Sequence, residues 1–297
     1  MSKLTIIGDG AWGRALGFVF AKAGHEISIW SRKSPKLPKI TDAFVAAVPA
    51  QHMHEVLSKL SIGKTPLISA AKGIERSTGK LMAEVAQEVA PQAQFYAISG
   101  PSFAADVIAG LPTAVTLAGP NFALAMNWAE QLSTSHFRIY PSDDVKGVEI
   151  GGAMKNVLAI ACGICEGQGL GESARASLVT RGFAELSRYA RAQGAKTETT
   201  MGLSGFGDLM LTCSSTKSRN FAYGLAIGRG VSLAEAMAGS RGVVEGAYTA
   251  GVAAKLAQAK GIDMPIVAAV AAIVDGRSNP RDEIAKLLAR PVRAEHM

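Results

Sequence analysis

The stretch KLTIIGDGAWGRALGFVFAKAGHEISIW, from Lys3 to Trp30, indicates the fold class of this chain. It consists of a β-rich run, a glycine turn that matches G-x-G-x-x-G, a helical segment that ends near Gly24, and a second β-rich run. This order is typical of a βαβ unit that binds a dinucleotide. In such a turn Gly8 permits the tight bend, Gly10 lets a pyrophosphate approach the backbone, and Gly13 lets the helix pack on the strand. The alternative is a plain βαβ unit with a glycine-rich turn.

The pattern after Trp30 divides the chain into two parts. β-rich runs alternate with helical segments as far as Tyr140, and from Ser142 onward only segments with helical spacing follow. We therefore predict a Rossmann-type, doubly wound, mostly parallel α/β sheet over residues 1–141 and an all-helical domain over residues 142–297. The seven β-rich runs are KLTIIG, EISIW, AFVAAVP, PLISAAKGI, QFYAISGP, TAVTLAG and HFRIY.

The composition is that of a globular protein with a large core, because 48% of the 297 residues are hydrophobic and 19% are charged. The net charge of +7 indicates an anionic partner, and small phosphorylated ligands account for it. We expect no nucleic acid, since aromatic residues make up only 6% and no Lys/Arg run is interleaved with them.

The sequence also predicts where the protein works. The longest uninterrupted apolar run, Ile266 to Val274, is nine residues long, whereas a membrane span needs about 20, so we expect no membrane insertion. The first residues, MSKLTIIG, lack the apolar region and cleavage site of a signal peptide. Three cysteines cannot form a disulfide framework. These features together predict a cytoplasmic protein.

The connection between the second and third β-rich runs is unusually short. Residues 31–42 hold Pro35 and Pro38, and such a segment is too short and too interrupted for a crossover helix. Ser31, Arg32 and Lys33 stand where NAD-selective sites carry an acidic residue for the ribose 2′-hydroxyl. Basic residues there would bind a 2′-phosphate, so we predict NADP as cofactor, with NAD also usable.

The helical half contains residue types suited to proton exchange and phosphate binding. Lys155 lies in the apolar segment GGAMKNVLAIACGI, where it must be paired, functional or extended to solvent. Asp208, in GLSGFGD, can reach a polar substrate or orient that lysine. Ser218, Arg219 and Asn220 lie at a predicted helix start, which favours a phosphate site over a simple cap with a surface salt bridge.

Two further patterns carry no function in this interpretation. Cys162 and Cys165 form a C-x-x-C, but at helical spacing in an apolar run they are typical of core packing. His52 and His54 are two residues apart at a helix start, which is poor geometry for a metal. We expect no metal site.

Eight segments in this order resemble the bacterial NAD(P)-dependent sn-glycerol-3-phosphate dehydrogenase family. The resemblance covers nearly the whole chain and implies reversible reduction of dihydroxyacetone phosphate to sn-glycerol 3-phosphate, the backbone of phospholipids. From the resemblance we also expect a homodimer. The segments are IIGDGAWGRALG, AAKGIE, SGPSFA, GGAMKNVLAIACGI, TRGFAELSR, GLSGFGDLMLTC, SRNFAYG and VVEG.

The resemblance also implies roles for individual residues, with Lys155 similar to the family's proton donor and acceptor. The implied contacts to a phosphorylated three-carbon substrate are Lys72, Gly100, Ser102, Lys155, Asp208, Ser218, Arg219 and Asn220. The expected cofactor contacts include the three glycines of the turn. The full set is Gly8, Gly10, Ala11, Trp12, Gly13, Arg32, Lys72, Ala104, Arg219, Val243 and Glu245.

The chain departs from the family pattern at the connector. Family members usually carry more residues between Arg32 and AFVAAVP, including helical structure and a short strand. A part of the wall around the adenosine is therefore missing, which affects cofactor affinity and selectivity. Two other functions stay open: a β-hydroxyacid dehydrogenase, which the Arg219 cluster argues against, and a nucleotide sensor without turnover, which the shortened connector favours.

Overall fold

The computed structural model describes residues 1–240, 242–292 and 294. These residues form one sheet of seven strands in the order β2-β1-β3-β4-β5-β6-β7, and neighbouring strands are parallel except for the pair β5 and β6. The strands are β1 (Lys3–Ile7), β2 (Glu26–Trp30), β3 (Ala43–Ala46), β4 (Leu67–Ser69), β5 (Phe95–Ser99), β6 (Thr113–Ala118) and β7 (Phe137–Ser142). Six of the seven β-rich runs contain one strand each, and β7 begins within HFRIY and continues two residues beyond it, so the mostly parallel sheet is confirmed.

Helices cover both faces of this sheet, as the doubly wound class requires. Leu4 and Ile6 of β1 pack with Phe20 on one face, while Ile7 and Phe44 belong to a second core cluster on the other. The helices of this α/β region are α1 (Ala11–Lys22), α2 (Met53–Ser58), α3 (Met82–Val89), α4 (Ala104–Ile108) and α5 (Phe122–Leu132), and a 3₁₀ turn at Ala50–His52 precedes α2.

The connector from Ser31 to Asp42 holds no helix, although every one of its residues is described. It begins with a tight turn in which the backbones of Ser31 and Ser34 bond each other in both directions, at 3.2 and 3.0 Å. The Trp30 indole then donates to the Pro35 carbonyl at 3.1 Å. At the far end the backbone N–H of Asp42 donates to the Lys3 carbonyl at 2.8 Å. The connector is therefore tied to the sheet chiefly at its two ends.

From Val145 onward the described residues form helices and turns. The helices are α6 (Val145–Gly167), α7 (Glu172–Ala192), α8 (Thr197–Met201), α9 (Asp208–Cys213), α10 (Arg219–Gly228), α11 (Leu233–Ala238), α12 (Glu245–Ala259), α13 (Pro265–Val274) and α14 (Pro280–Leu288). β7 ends at Ser142, and the division of the chain between residues 141 and 142 stays a prediction.

The long helix α6 forms the core of this helical region and is buried from Gly147 to Cys165. Among the described helices it is the one whose length and composition would suit a membrane span, and its most apolar 18 residues are all buried inside the protein. It crosses α10 in direct backbone contact: a Cβ atom on Gly163 would lie 2.1 Å from the Phe221 carbonyl oxygen, and one on Gly224 would lie 2.1 Å from that of Ile160. Only glycine fits at these two positions.

Candidate active site

Two lysines meet on one buried carboxylate where the two regions touch. The Lys155 ammonium donates to Asp208 Oδ1 at 2.7 Å, and the Lys72 ammonium donates to Asp208 Oδ2 at 2.6 Å. The side chain of Asp208 is 1% exposed, whereas those of Lys155 and Lys72 are 10% and 15% exposed. The carboxylate is therefore closed to solvent, and each lysine side chain keeps a small accessible surface.

Each member of this cluster comes from a different element. Lys72 follows the carboxyl end of β4, Lys155 lies in the middle of α6, and Asp208 opens α9. The glycine-rich segment before Asp208, residues Leu203–Gly207, forms a π-helical turn. Gly205 permits this turn, since a Cβ atom there would lie 1.9 Å from the Thr200 carbonyl oxygen.

Charge and burial set the protonation of the cluster. Burial lowers the pKa of Lys155 to about 8, and the neighbouring Lys72 charge adds to that, whereas Asp208 opposes it. Burial would raise the pKa of Asp208, but the two lysines outweigh it and hold that pKa below its ordinary value. At neutral pH the cluster therefore holds two ammonium groups and one carboxylate, with one excess positive charge.

Two residues near the lysines were not singled out from the sequence. The Thr212 hydroxyl accepts from the Lys155 ammonium at 2.9 Å and donates to the Asp208 carbonyl at 2.6 Å. Asn156 donates to the Lys72 carbonyl at 3.0 Å. Thr212 could have been predicted to lie beside Asp208, because residues four positions apart lie on the same face of a helix.

Asn156 also connects the lysines to the predicted phosphate cluster. Asn220 donates to the Asn156 side-chain oxygen at 2.9 Å, and its own oxygen accepts from the Gly246 backbone N–H at 2.9 Å. The Asn220 side chain is thus engaged on both sides within the protein. The Asn220 amide nitrogen carries a second N–H, so its predicted contact to the substrate stays a prediction.

The start of α10 has the predicted form. The Ser218 side chain accepts from the Phe221 backbone N–H at 3.2 Å and caps the helix. Arg219 is exposed, and its guanidinium lies against Gly242, where a Cβ atom would be 2.7 Å from Nη1. A cation beside the free N–H groups of a helix start is a site for an anion such as phosphate.

The loop after β5 completes the rim of the lysine cluster. The Gly100 carbonyl accepts from the Lys72 ammonium and from the Ser102 hydroxyl, each at 3.1 Å. Ala104 opens α4 directly afterwards. Gly100 and Ser102 therefore lie beside the lysines, as expected, with Ala104 further along the same loop.

The glycine turn lies at the carboxyl ends of β1 and β3, where the strand order reverses and dinucleotides bind in doubly wound sheets. Gly8 has φ +113°, and a Cβ atom on Gly13 would lie 2.1 Å from the Gly8 carbonyl oxygen. Around Gly10, by contrast, a Cβ atom would meet nothing within 4 Å. Ala11 begins α1, so the free N–H groups of that helix face this open space.

Two buried polar atoms near the cleft are without a partner among the described residues: Trp12 Nε1 and Glu245 Oε2. The other Glu245 oxygen accepts from the Ala50 backbone N–H at 3.0 Å, and Val243 lies two positions earlier. Burial raises the pKa of Glu245 to about 7 although the Ala50 N–H and Arg219 oppose the rise. A dinucleotide with hydrogen-bonding groups fits these two atoms and the open glycine turn.

Arg32 lies at a different place from the lysines. It is exposed in the tight turn after β2 and close enough to α2 that its charge, after that of Lys59 and His52, lowers the pKa of Glu55. The structure does not bring Arg32 to the lysine cluster. Such a separation is what a long dinucleotide requires, with its adenosine at β2 and its other end at the cleft.

Comparisons with known proteins agree with this architecture. The family model described as NAD-dependent glycerol-3-phosphate dehydrogenase C-terminus matches residues 144–285. A curated glycerol-3-phosphate dehydrogenase [NAD(P)+] of Methylobacterium radiotolerans is 49% identical, and one of Erythrobacter litoralis 45%, each aligned over 99% of this chain and 98% of its own. The crystal structure of glycerol-3-phosphate dehydrogenase from Coxiella burnetii superposes with a TM-score of 0.90 at 35% identity, covering 97% of this chain and 99% of its own.

The same comparisons locate the missing segment. The model described as NAD-dependent glycerol-3-phosphate dehydrogenase N-terminus matches in two pieces, residues 3–43 and 39–125, which meet at the end of the connector. The alignments to the two curated relatives run over 328 and 325 positions, more than the 297 residues of this chain. The relatives thus hold residues without a counterpart here. With both family models matched and relatives nearly half identical over their full length, this chain belongs to the NAD-dependent glycerol-3-phosphate dehydrogenase family.

Proposed function

We propose that this protein interconverts dihydroxyacetone phosphate and sn-glycerol 3-phosphate with NADP(H) or NAD(H). The observation that carries the proposal is the pair of ammonium groups on the two oxygens of buried Asp208, 2.7 Å from Lys155 and 2.6 Å from Lys72. An excess positive charge in a closed site stabilises an oxygen that becomes negative as a ketone is reduced.

Lys155 is the proton donor in reduction and the proton acceptor in oxidation. Its pKa of about 8 lies close to neutral, which suits a group that must give and take a proton at the same atom. Thr212 and Asp208 hold the ammonium in place, so the proton is directed at the substrate oxygen. The Lys72 ammonium lies beside it and stabilises the developing alkoxide.

The phosphate end of the substrate lies at the start of α10. Its backbone N–H groups and the Arg219 guanidinium together neutralise a dianion. Ser218 contributes as the cap that orders this helix start. Gly100 and Ser102, beside Lys72, border the other end of the three-carbon chain.

The glycine turn from Gly8 to Gly13, with Ala11, Trp12 and Ala104, holds the cofactor, and Val243 and Glu245 border its nicotinamide end. When bound, the nicotinamide cofactor supplies or takes the hydride. Arg32 and its neighbours Ser31 and Lys33 favour the 2′-phosphate of NADP, because the turn after β2 holds cations and lacks a carboxylate.

The setting in the cell follows from the family and from the chain itself. We assign the protein to the cytoplasm, where its buried free thiols at Cys162, Cys165 and Cys213 stay reduced. Its product, sn-glycerol 3-phosphate, would supply phospholipid synthesis. A homodimer is the assembly that we expect.

The direct test is loss of NADPH absorbance on addition of dihydroxyacetone phosphate, with product identified as sn-glycerol 3-phosphate. Unphosphorylated dihydroxyacetone and a β-keto acid serve as controls, and both should react far more slowly. Faster reduction of the keto acid would assign the protein to the β-hydroxyacid dehydrogenases. NADPH binding without turnover of any of the three would identify a sensor.

A further inference from the structure

We propose that Glu149 of α6 is a positioning residue that sets the place of Lys72 relative to Lys155. Its role rests on the proposed function, since it acts through the two lysines. Glu149 is 6% exposed in an apolar stretch of α6, between Val148 and Ile150. A carboxyl group in such surroundings is costly and needs a specific partner.

That partner is the start of α3 in the other region of the molecule. Glu149 Oε1 accepts from the Ala83 backbone N–H at 2.9 Å, and the Met82 N–H contributes as well. Burial raises the pKa of the Glu149 carboxyl to about 8, and these two N–H groups oppose the rise. The contact is therefore a helix cap supplied across the boundary between the two regions.

The segment that leads into α3 begins with Lys72. Residues 70–81 have no helix or strand of their own. Their middle is bonded to the Gln51 side chain, which donates to the Ile74 carbonyl at 2.8 Å and accepts from the Arg76 N–H at 2.9 Å, whereas bonds to α6 lie at the two ends. At the first end Asn156 of α6 donates to the Lys72 carbonyl, and at the other end Glu149 of α6 caps α3. Both anchors belong to the helix that carries Lys155.

The two anchors lie on one face of α6. Glu149 and Asn156 are seven positions apart, two helical turns or roughly 10 Å along the axis. Gly152 lies between them on the same face, and a Cβ atom there would be 2.9 Å from Ser99 Oγ and 3.3 Å from Lys72 Cγ. This face of α6 is thus fitted closely to the Lys72 segment. Loss of the Glu149 contact would leave that segment bonded to α6 at one end only.

Glu185 provides a matched control. It is also a buried glutamate that caps another helix, since its two oxygens accept from the backbone N–H groups of Ile266 and Val267 at 2.8 and 3.1 Å. Its contact joins α7 to α13 within the helical region, away from both lysines. The same substitution at both positions therefore removes the same kind of contact.

The experiment compares Glu149→Leu and Glu149→Gln with Glu185→Leu and Glu185→Gln. Both leucine variants should lower the melting temperature to a similar extent. Since a misplacement of about 1 Å can reduce turnover about 100-fold, we expect kcat of Glu149→Leu to fall about tenfold or more, with the Kd for NADPH within threefold of wild type. Glu149→Gln keeps one acceptor and should restore kcat to within about threefold, and both Glu185 variants should stay within about twofold.

Hydrogen exchange gives a second measurement that does not depend on turnover. Glu149→Leu should increase deuterium uptake several-fold in residues 70–83, whereas Glu185→Leu should increase it in residues 265–274. Equal kcat in the two leucine variants, or unchanged exchange in residues 70–83, overturns the proposal. Should Glu149→Leu fail to fold, Glu149→Asp and Glu185→Asp, whose shorter side chains withdraw the carboxylate from the backbone N–H groups, are compared instead, and equal kcat of these two variants does the same. If Lys155→Met retains full activity, the proposed function fails, and the exchange data still decide whether Glu149 positions the segment.

Discussion

The lysine cluster and the connector differ in almost every physical respect. Around Asp208 the charged groups are buried, and both carboxylate oxygens and both ammonium groups are hydrogen-bonded. In residues 31–42 the basic side chains are exposed, and the backbone is bonded mainly near Trp30 and Asp42. The match to the family model of the N-terminal part is interrupted in the second region, whereas the family models match without a break around Lys72, Lys155 and Asp208.

This difference shows why the shortened connector is tolerated. A buried charged network loses several kcal/mol when one partner is removed, whereas a surface segment with few contacts costs little to shorten. The two regions should therefore respond differently to substitution. Variants in the cluster should change turnover or substrate binding, and variants in the connector should change the choice of cofactor.

The largest effect is expected at Lys155. Lys155→Met should reduce kcat by about 10²–10⁴, as is typical when a general acid–base is lost, and should leave NADPH binding within a few-fold. Steady-state kinetics and fluorescence titration with NADPH measure the two quantities. Lys146→Met, an exposed lysine on the same helix, is the control and should be near wild type. A Lys155→Met protein with a tenth of wild-type kcat would show that another group carries the proton.

Arg219→Ala should act on the substrate. Loss of a charge-assisted phosphate contact of about 1.5–3 kcal/mol raises KM for dihydroxyacetone phosphate roughly ten- to over a hundredfold. The KM for NADPH should change much less. Lys217→Ala removes an exposed neighbour that pairs with Asp106, and it serves as the control. A mutant that still strongly prefers the phosphorylated ketone over dihydroxyacetone places the phosphate elsewhere.

The pH dependence tests the electrostatics of the cluster. Reduction needs Lys155 protonated, and burial together with Lys72 lowers its pKa to about 8. We therefore expect kcat/KM for reduction to be level below pH 8 and to fall about tenfold per unit above it, while kcat/KM for oxidation rises about tenfold per unit below pH 8 and is level above it. In Lys72→Met the midpoint should move to higher pH, because one neighbouring positive charge is gone. A reduction rate that stays level to pH 9.5 contradicts the assignment.

The smallest effect is expected in the connector. Wild type should prefer NADPH to NADH at least about tenfold, because one charge-assisted contact to the 2′-phosphate is worth about 1.5–3 kcal/mol. Arg32→Ala should remove most of that preference by weakening NADPH, with little change for NADH. Lys36→Ala, elsewhere in the connector, is the control. The measurement is kcat/KM with both cofactors, and equal use of the two by wild type would make the connector a solvated loop.

Much of this molecule could be predicted from local patterns. Alternating β-rich and helical runs gave all seven strands, and Ser218 was identified as a cap because a serine before a helical run has that role. The π-helical turn before Asp208 was not predictable, since its glycines equally suit a loop. The contacts of Asn156 and Glu149 join distant parts of the chain, so no local pattern reports them.

The direct contact of α6 with α10 has a consequence for substrate length. Because the backbones touch at Gly163 and Gly224, a larger residue at either position would push the helices apart and change the separation between Lys155 and the α10 start. This separation determines which spacing between a carbonyl and a phosphate a substrate must have. We expect a phosphorylated ketone with one more carbon between these groups to be a poor substrate, although its reaction is the same. Glycines that touch no ligand would thus select the carbon chain.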